Sequence, residues 1–151
     1  MVNSALFSSK SVEWGTPQNL FDFFNQRFQF TLDVCAAPEN AKCEKFFTRF
    51  ENGLSKSWVG ERCWMNPPYG KTIGDWVHKA MCEAEKGALV VGLLPARVDT
   101  QWWHLCVKRY ADVYFIQGRL RFEGANNSAP FPSAIVVWWG QSELNNYLRG
   151  V

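Results

Sequence analysis

No Cys-x-x-Cys pair occurs in this 151-residue chain, and histidine is limited to two positions. The five cysteines, Cys35, Cys43, Cys63, Cys82 and Cys106, are odd in number and widely spaced, which argues against a disulfide framework or a zinc site and for reduced thiols in a cytosol. No metal is expected. Long apolar runs are also missing. The longest, Ala88 to Leu94, falls far short of the roughly 20 residues that a membrane span requires. Met1 to Lys10 contain no sustained apolar core, so no secretory signal and no membrane association are expected, and the chain reads as soluble and cytoplasmic. Charge of one sign is scarce. A net charge of +2 and a pI near 8.3 exclude a general polyanion binder but leave room for a local basic surface.

What the chain does have is apolar and aromatic mass. With 47% hydrophobic residues it is long enough to bury one core, but not two. The polar, Ser-rich residues 1–13 read as a flexible lead-in and residues 14–151 as one domain. Aromatics reach 16%, including eight tryptophans, more than a small core needs, so some are expected to be exposed or to line a cleft.

Periodicity alternates between strand and helix. Thr16-Pro17 reads as a cap followed by proline in the first turn, with Leu20, Phe21, Phe24 and Phe28 on one face of a helix from about Pro17 to Gln26. Phe30 to Val34 reads as a short buried strand ending in Asp33, and Lys45 to Thr48 as a second strand. Asn52-Gly53 marks a turn, and Arg62 to Met65 a further strand. Ile73, Trp76, Val77, Ala80, Met81 and Ala84 follow helical spacing, with Thr72 as cap and Gly87 as stop. His78 lies on this helix without ligand-type partners at suitable spacing, which makes it a surface residue. Ala88 to Leu94 is a continuous apolar strand of the kind covered on both faces. Val113 to Ile116 and Ala134 to Trp139 complete the set. The alternation predicts a single α/β sheet with helices on both faces.

The stretch Asn66-Pro67-Pro68-Tyr69-Gly70 stands out. Two prolines remove consecutive backbone donors and fix φ, so the chain leaves its strand as a stiff extended turn at the strand's carboxyl end, where open α/β sheets bind ligands. The Asn66 amide oxygen and the Pro67 carbonyl can each accept a hydrogen bond from a planar amine, and Tyr69 can stack on the attached ring. The plain alternative is a Pro-Pro turn capped by Asn.

Beyond the central strand, Arg97, Asp99, Thr100, Gln101, Trp102, Trp103 and His104 cluster at the next carboxyl end. They suit recognition of a base or phosphate, or else form a short capped helix that packs its tryptophans. Alternation puts Arg119 and Arg121 on one side of their segment, opposite Leu120 and Phe122, as candidates for contact with a phosphate backbone or as a solvated edge.

Taken in order, Trp14-Gly15-Thr16-Pro17, Leu32-Asp33-Val34-Cys35-Ala36, Asn66-Pro67-Pro68-Tyr69-Gly70, Leu94 to Thr100, Gly118 to Phe122 and Ala129 to Ser133 resemble the compact, phage-type Dam family of DNA N6-adenine methyltransferases. The resemblance implies a Rossmann-like, mostly parallel sheet whose last hairpin strand is antiparallel, S-adenosylmethionine as cofactor, and double-stranded DNA as partner, in the host-cell cytoplasm if the chain is phage-encoded. It implies that Asn66, Pro67, Pro68 and Tyr69 are catalytic, with the adenine flipped out of the duplex. Trp14, Thr16 and Pro17 would serve the methionine part of the cofactor. Asp33 would meet its amino or hydroxyl groups, Cys35 and Ala36 would let the backbone approach, and Glu51 would hold the ribose hydroxyls, with Asn66 adjoining. Asp33 also reads as a strand-end turn acid, and Glu51 as a solvated loop residue. The Gly-x-Gly usual in such cofactor loops is absent after Asp33. N4-cytosine, protein-glutamine and RNA-guanine N-methylation ask the same geometry of the tetrapeptide, and a non-catalytic DNA-binding relative is a further alternative.

Overall fold

The structure, a computed structural model, describes residues 14–140. The expected lead-in, 1–13, and the tail beyond Gly140 lie outside the described residues. Five strands form one sheet in the order β1-β2-β3-β5-β4: β1 is Leu32–Asp33, β2 Arg62–Met65, β3 Leu89–Pro95, β4 Asp112–Phe115 and β5 Ser133–Trp138. Strands β1, β2 and β3 pair in parallel, whereas β5 runs antiparallel to both β3 and β4. The sheet is therefore mixed, with two parallel and two antiparallel pairings, and β5 is the antiparallel last strand that the resemblance implies. The reason is topological: β5 inserts between β3 and β4 and meets each of them head to tail. Lys45 to Thr48 does not make a full strand. It contributes one parallel bridge, Phe46 to Asp33, at the sheet edge.

Side-chain alternation in the ladder explains how the layers form. Trp64, Val91 and Val137 share one face, and Cys63, Val90 and Trp138 the other. Helix α1, Gln18–Phe28, covers the first face, with Phe21 edge-on to Trp64 at 5.5 Å and Phe28 against Trp139 at 5.7 Å. The second face receives a π-helical turn, Trp103–Val107, to which Trp138 donates a hydrogen bond from Nε1 to the Cys106 carbonyl at 2.9 Å. Helix α2, Ile73–Glu85, lies beside that turn, close enough that a Cβ on Gly74 would be 3.6 Å from Trp102. Strands β3 and β5 are buried along their whole length, as their unbroken apolar runs require. Among the described residues no helix is long and apolar enough to cross a membrane.

Local signals fix the helix ends. At the end of α2 the Ala88 N–H bonds the Glu83 carbonyl and the Gly87 N–H that of Ala84, with Gly87 at φ 115°, a paired closure that favours glycine. At the start of α1 the expected cap is absent. Pro17 takes the N-cap place with no side-chain bond, so the helix begins one residue later than the sequence suggests.

One buried charge ties α2 to the segment before β2. Glu83 is 1% exposed, accepts the Trp58 N–H at 2.5 Å, and pairs with Lys79 at 3.6 Å and Lys86 at 3.3 Å. Burial alone would raise its pKa. The Trp58 N–H and the two ammoniums outweigh that and hold it below the usual 4.5. Because the ionised form is the one favoured by folding, its contribution is present above pH 4.5 and is lost as pH falls below it. Glu83→Ala is expected to cost roughly 1–3 kcal/mol in urea unfolding at neutral pH, since it leaves a buried N–H unpaired. The gap to wild type should narrow in acid, and a gap that stays constant with pH would remove the charge from this account.

Candidate active site

Strand β2 delivers Asn66 to the carboxyl end of the parallel half of the sheet. A carbonyl can only accept, so the Trp14 carbonyl oxygen beside the Asn66 side chain must face its nitrogen. The same Nδ2 donates to Thr16 Oγ1 at 3.0 Å. Both amide protons are thereby engaged, and Oδ1, which is buried, has no hydrogen-bond partner among the described residues. Thr16, itself 5% exposed, also accepts from the indole Nε1 of the fully buried Trp64 at 3.1 Å.

Asn66, Pro67 and Pro68 line a cleft of about 1520 Å³ together with Trp14, Thr16, Asp33, Cys35 and Ala36. Six of the eight residues expected at the cofactor thus meet in one space. Pro17 and Glu51 do not line it. Pro17 sits instead in a smaller concavity of about 460 Å³ with Phe23, Arg119 and Arg121. Glu51 is exposed and turned onto its own loop, where Oε1 accepts the Thr48 N–H at 3.1 Å and its hydroxyl at 3.0 Å, bonds that hold the carboxyl below its ordinary pKa.

Asp33 closes β1 at the cleft wall. Its Oδ1 accepts the Cys35 N–H at 3.3 Å and its Oδ2 the Lys42 N–H at 3.1 Å, so it pins the loop that follows. Burial pushes its carboxyl up to about 6 against these bonds and the nearby Lys42 charge. Each oxygen retains a lone pair, leaving it able to accept from a ligand as well.

Tyr69 departs from expectation. It is 4% exposed, its hydroxyl donates to the Leu93 carbonyl at 2.9 Å, and its ring meets Phe131 at 5.6 Å and Phe122 at 6.2 Å. Trp14 joins the same cluster, 5.2 Å from each of those phenylalanines. The stacking platform predicted at Tyr69 is therefore an interior prop: an aromatic cluster beneath the turn takes the ring that the sequence assigned to a ligand. Burial raises the phenol pKa well above its usual value, keeping the hydroxyl a donor.

The residues expected at DNA are spread along the neighbouring strand ends. Arg97 and Asp99 are exposed just past β3, and Trp102 is half-buried against Trp103. Thr100 caps this segment, its Oγ1 accepting the Trp103 N–H at 3.3 Å. Arg119 and Arg121 are exposed while Phe122 is buried, so the alternation holds without a regular strand, and Arg121 Nε donates to the Ala125 carbonyl at 3.1 Å. Among the described residues no group of three His, Cys, Asp or Glu could hold a metal ion.

Sequence reasoning missed the far wall of the cleft, which includes Phe50, Asn52, Gly53 and Trp76. Phe50 is 97% exposed at the rim. A Cβ on Gly53 would lie 2.3 Å from the Val34 carbonyl oxygen, so glycine is required where this wall touches the end of β1. The Asn-Gly pair signalled a turn, but nothing local signalled what the turn would face.

Residues 3–141 match the family model described as DNA N-6-adenine-methyltransferase (Dam). Over 106 residues, 68% of this chain, it is 35% identical to the DNA N-6-adenine-methyltransferase of Haemophilus phage HP1. Over 109 residues, 71% of this chain, it is 31% identical to that of Escherichia phage T1. The matched regions span 61% and 45% of those two relatives. With the family model covering nearly all of it and the Asn66 turn at the head of its cleft, the chain belongs to the DNA N-6-adenine-methyltransferase (Dam) family.

Proposed function

We propose that this chain transfers a methyl group from S-adenosylmethionine to the N6 amine of an adenine in double-stranded DNA, on a sheet arranged in the Rossmann-like manner of methyltransferases. The observation that carries the reading is the buried, unpartnered Oδ1 of Asn66 in the cleft. An acceptor held without a donor, at a strand's carboxyl end, suits an N–H that arrives with a ligand. The cofactor would supply an electrophilic methyl group on a sulfonium. The residues of the cleft wall fit it: Trp14, Asp33, Cys35 and Ala36 border enough space for a nucleoside, and Asp33 offers a carboxylate to amino or hydroxyl donors.

An adenine amine is a weak nucleophile because its lone pair is delocalised into the ring. Asn66 Oδ1 and the Pro67 carbonyl would hold the two amine hydrogens and so turn the lone pair toward the methyl carbon; the amine would take that carbon from sulfur, leaving a thioether, and shed one of its hydrogens as a proton to water, with the rate coming from fixed dipoles and in-line positioning. The two prolines keep both acceptors rigid, and Tyr69 supports them from within. Adenine inside a duplex cannot reach the cleft, so it is flipped out at a cost of a few kcal/mol. Arg97, Asp99, Trp102, Arg119 and Arg121 would meet the flanking strand, with the arginines on phosphate.

Asn66→Ala is expected to abolish methyl transfer while leaving cofactor affinity and melting temperature close to wild type; near-normal turnover would remove Asn66 from the mechanism. Nucleosides released from DNA methylated by the wild-type protein should contain N6-methyladenine by mass spectrometry, and N4-methylcytosine in its place would overturn the choice of base. Burial raises the Asp33 pKa to about 6, and only the ionised carboxylate has both oxygens free to accept, so cofactor affinity should rise, by up to about tenfold, between about pH 5 and about pH 7. A flat calorimetric profile would take Asp33 out of the cofactor site.

A further inference from the structure

We propose that Thr16 is a positioning residue for methyl transfer: with the Trp14 carbonyl selecting the nitrogen end of the Asn66 amide, the Thr16 hydroxyl is the second anchor that holds the amide plane, so that the oxygen is presented to the substrate amine. The inference rests on the function proposed above and assigns Thr16 a different task from holding the cofactor. A Thr-Pro pair at the start of a helix ordinarily reads as cap and first turn. Here α1 has no side-chain cap, and the hydroxyl turns inward instead.

There it receives two N–H groups, Trp64 Nε1 at 3.1 Å and Asn66 Nδ2 at 3.0 Å, which use both lone pairs of a hydroxyl oxygen. Trp64 and Asn66 stand two residues apart at the end of β2, and Trp64 is completely buried. The indole therefore locks the hydroxyl to the strand, and the hydroxyl locks the amide. The Trp14 carbonyl takes the remaining direction on Nδ2. With two anchors the amide plane cannot rotate, and the unpaired Oδ1 is aimed by the Trp14 carbonyl and the Thr16 hydroxyl, in a segment distant in sequence from the turn it steers.

The test is steady-state kinetics of Thr16→Val and Thr16→Ser on unmethylated DNA, with each substrate varied. Thr16→Val should lower kcat by about tenfold or more and leave the KM and calorimetric Kd for S-adenosylmethionine within about twofold, because only the alignment of the acceptor is lost. Thr16→Ser should recover most of that loss. A Val variant with weakened cofactor affinity and intact kcat would return Thr16 to the cofactor and overturn the proposal, as would wild-type kinetics throughout. Should Thr16→Val fail to fold, the Asn66 side-chain amide of the 15N-labelled wild-type protein decides. Nδ2 protons protected from exchange with solvent support the clamp, and rapidly exchanging ones overturn it. A wild-type protein that yields no N6-methyladenine yet shows the held amide would sink the proposed function separately, leaving the clamp in place.

Discussion

The hydrogen bond from the Asn66 amide to the Trp14 carbonyl organises this site. A backbone carbonyl has no donor to offer, so it dictates which end of the amide it meets, and with Thr16 it leaves the oxygen alone in a buried place. An acceptor buried without a partner costs roughly 1–3 kcal/mol, a cost that a correctly placed N–H from a ligand removes. Satisfying this oxygen requires a donor that none of the described residues supplies. An amine meets that requirement and a carbonyl does not.

Holding such an acceptor demands a rigid surround, and the aromatic residues provide it. Trp14, Tyr69, Phe122 and Phe131 pack as one cluster beneath the turn, with rings 5.2 to 6.2 Å apart. Their contacts join three stretches far apart in sequence, holding the turn, the segment at Trp14 and the return into β5 against one another. Phe21, Phe30 and Trp64 form a second group under α1. Much of the aromatic excess that composition shows is used in this way, as walls behind the cleft, while Phe50 stands at its rim.

How much was legible in the sequence depended on whether the signal was local. Helix α2 could be read from the spacing of Ile73, Trp76, Val77 and Ala80 and from Gly87, because periodicity and a positive-φ stop act within a turn or two of chain. The buried strands β3 and β5 followed from uninterrupted apolar runs. Glu51 and Tyr69 could not be placed, for a common reason. An acid can satisfy itself on Thr48 three residues away, and an aromatic ring can face inward as readily as outward, so the choice rests on neighbours that arrive from elsewhere. Thr16 likewise bears a cap signature but gives its hydroxyl to a strand 48 residues on.

What the sequence determined by itself was the inventory: an α/β alternation, a stiff Asn-Pro-Pro corner at a strand end, and an acid closing the first strand, all written in covalent constraints and short-range periodicity. Tertiary structure alone decided that β5 would enter between β3 and β4, and that Trp14 and Thr16 would grip Asn66 while Tyr69 turned to the core. Those outcomes depend on pairing between segments separated by tens of residues, where the geometry of hydrogen-bond donors and acceptors selects one arrangement among several that local sequence allows equally.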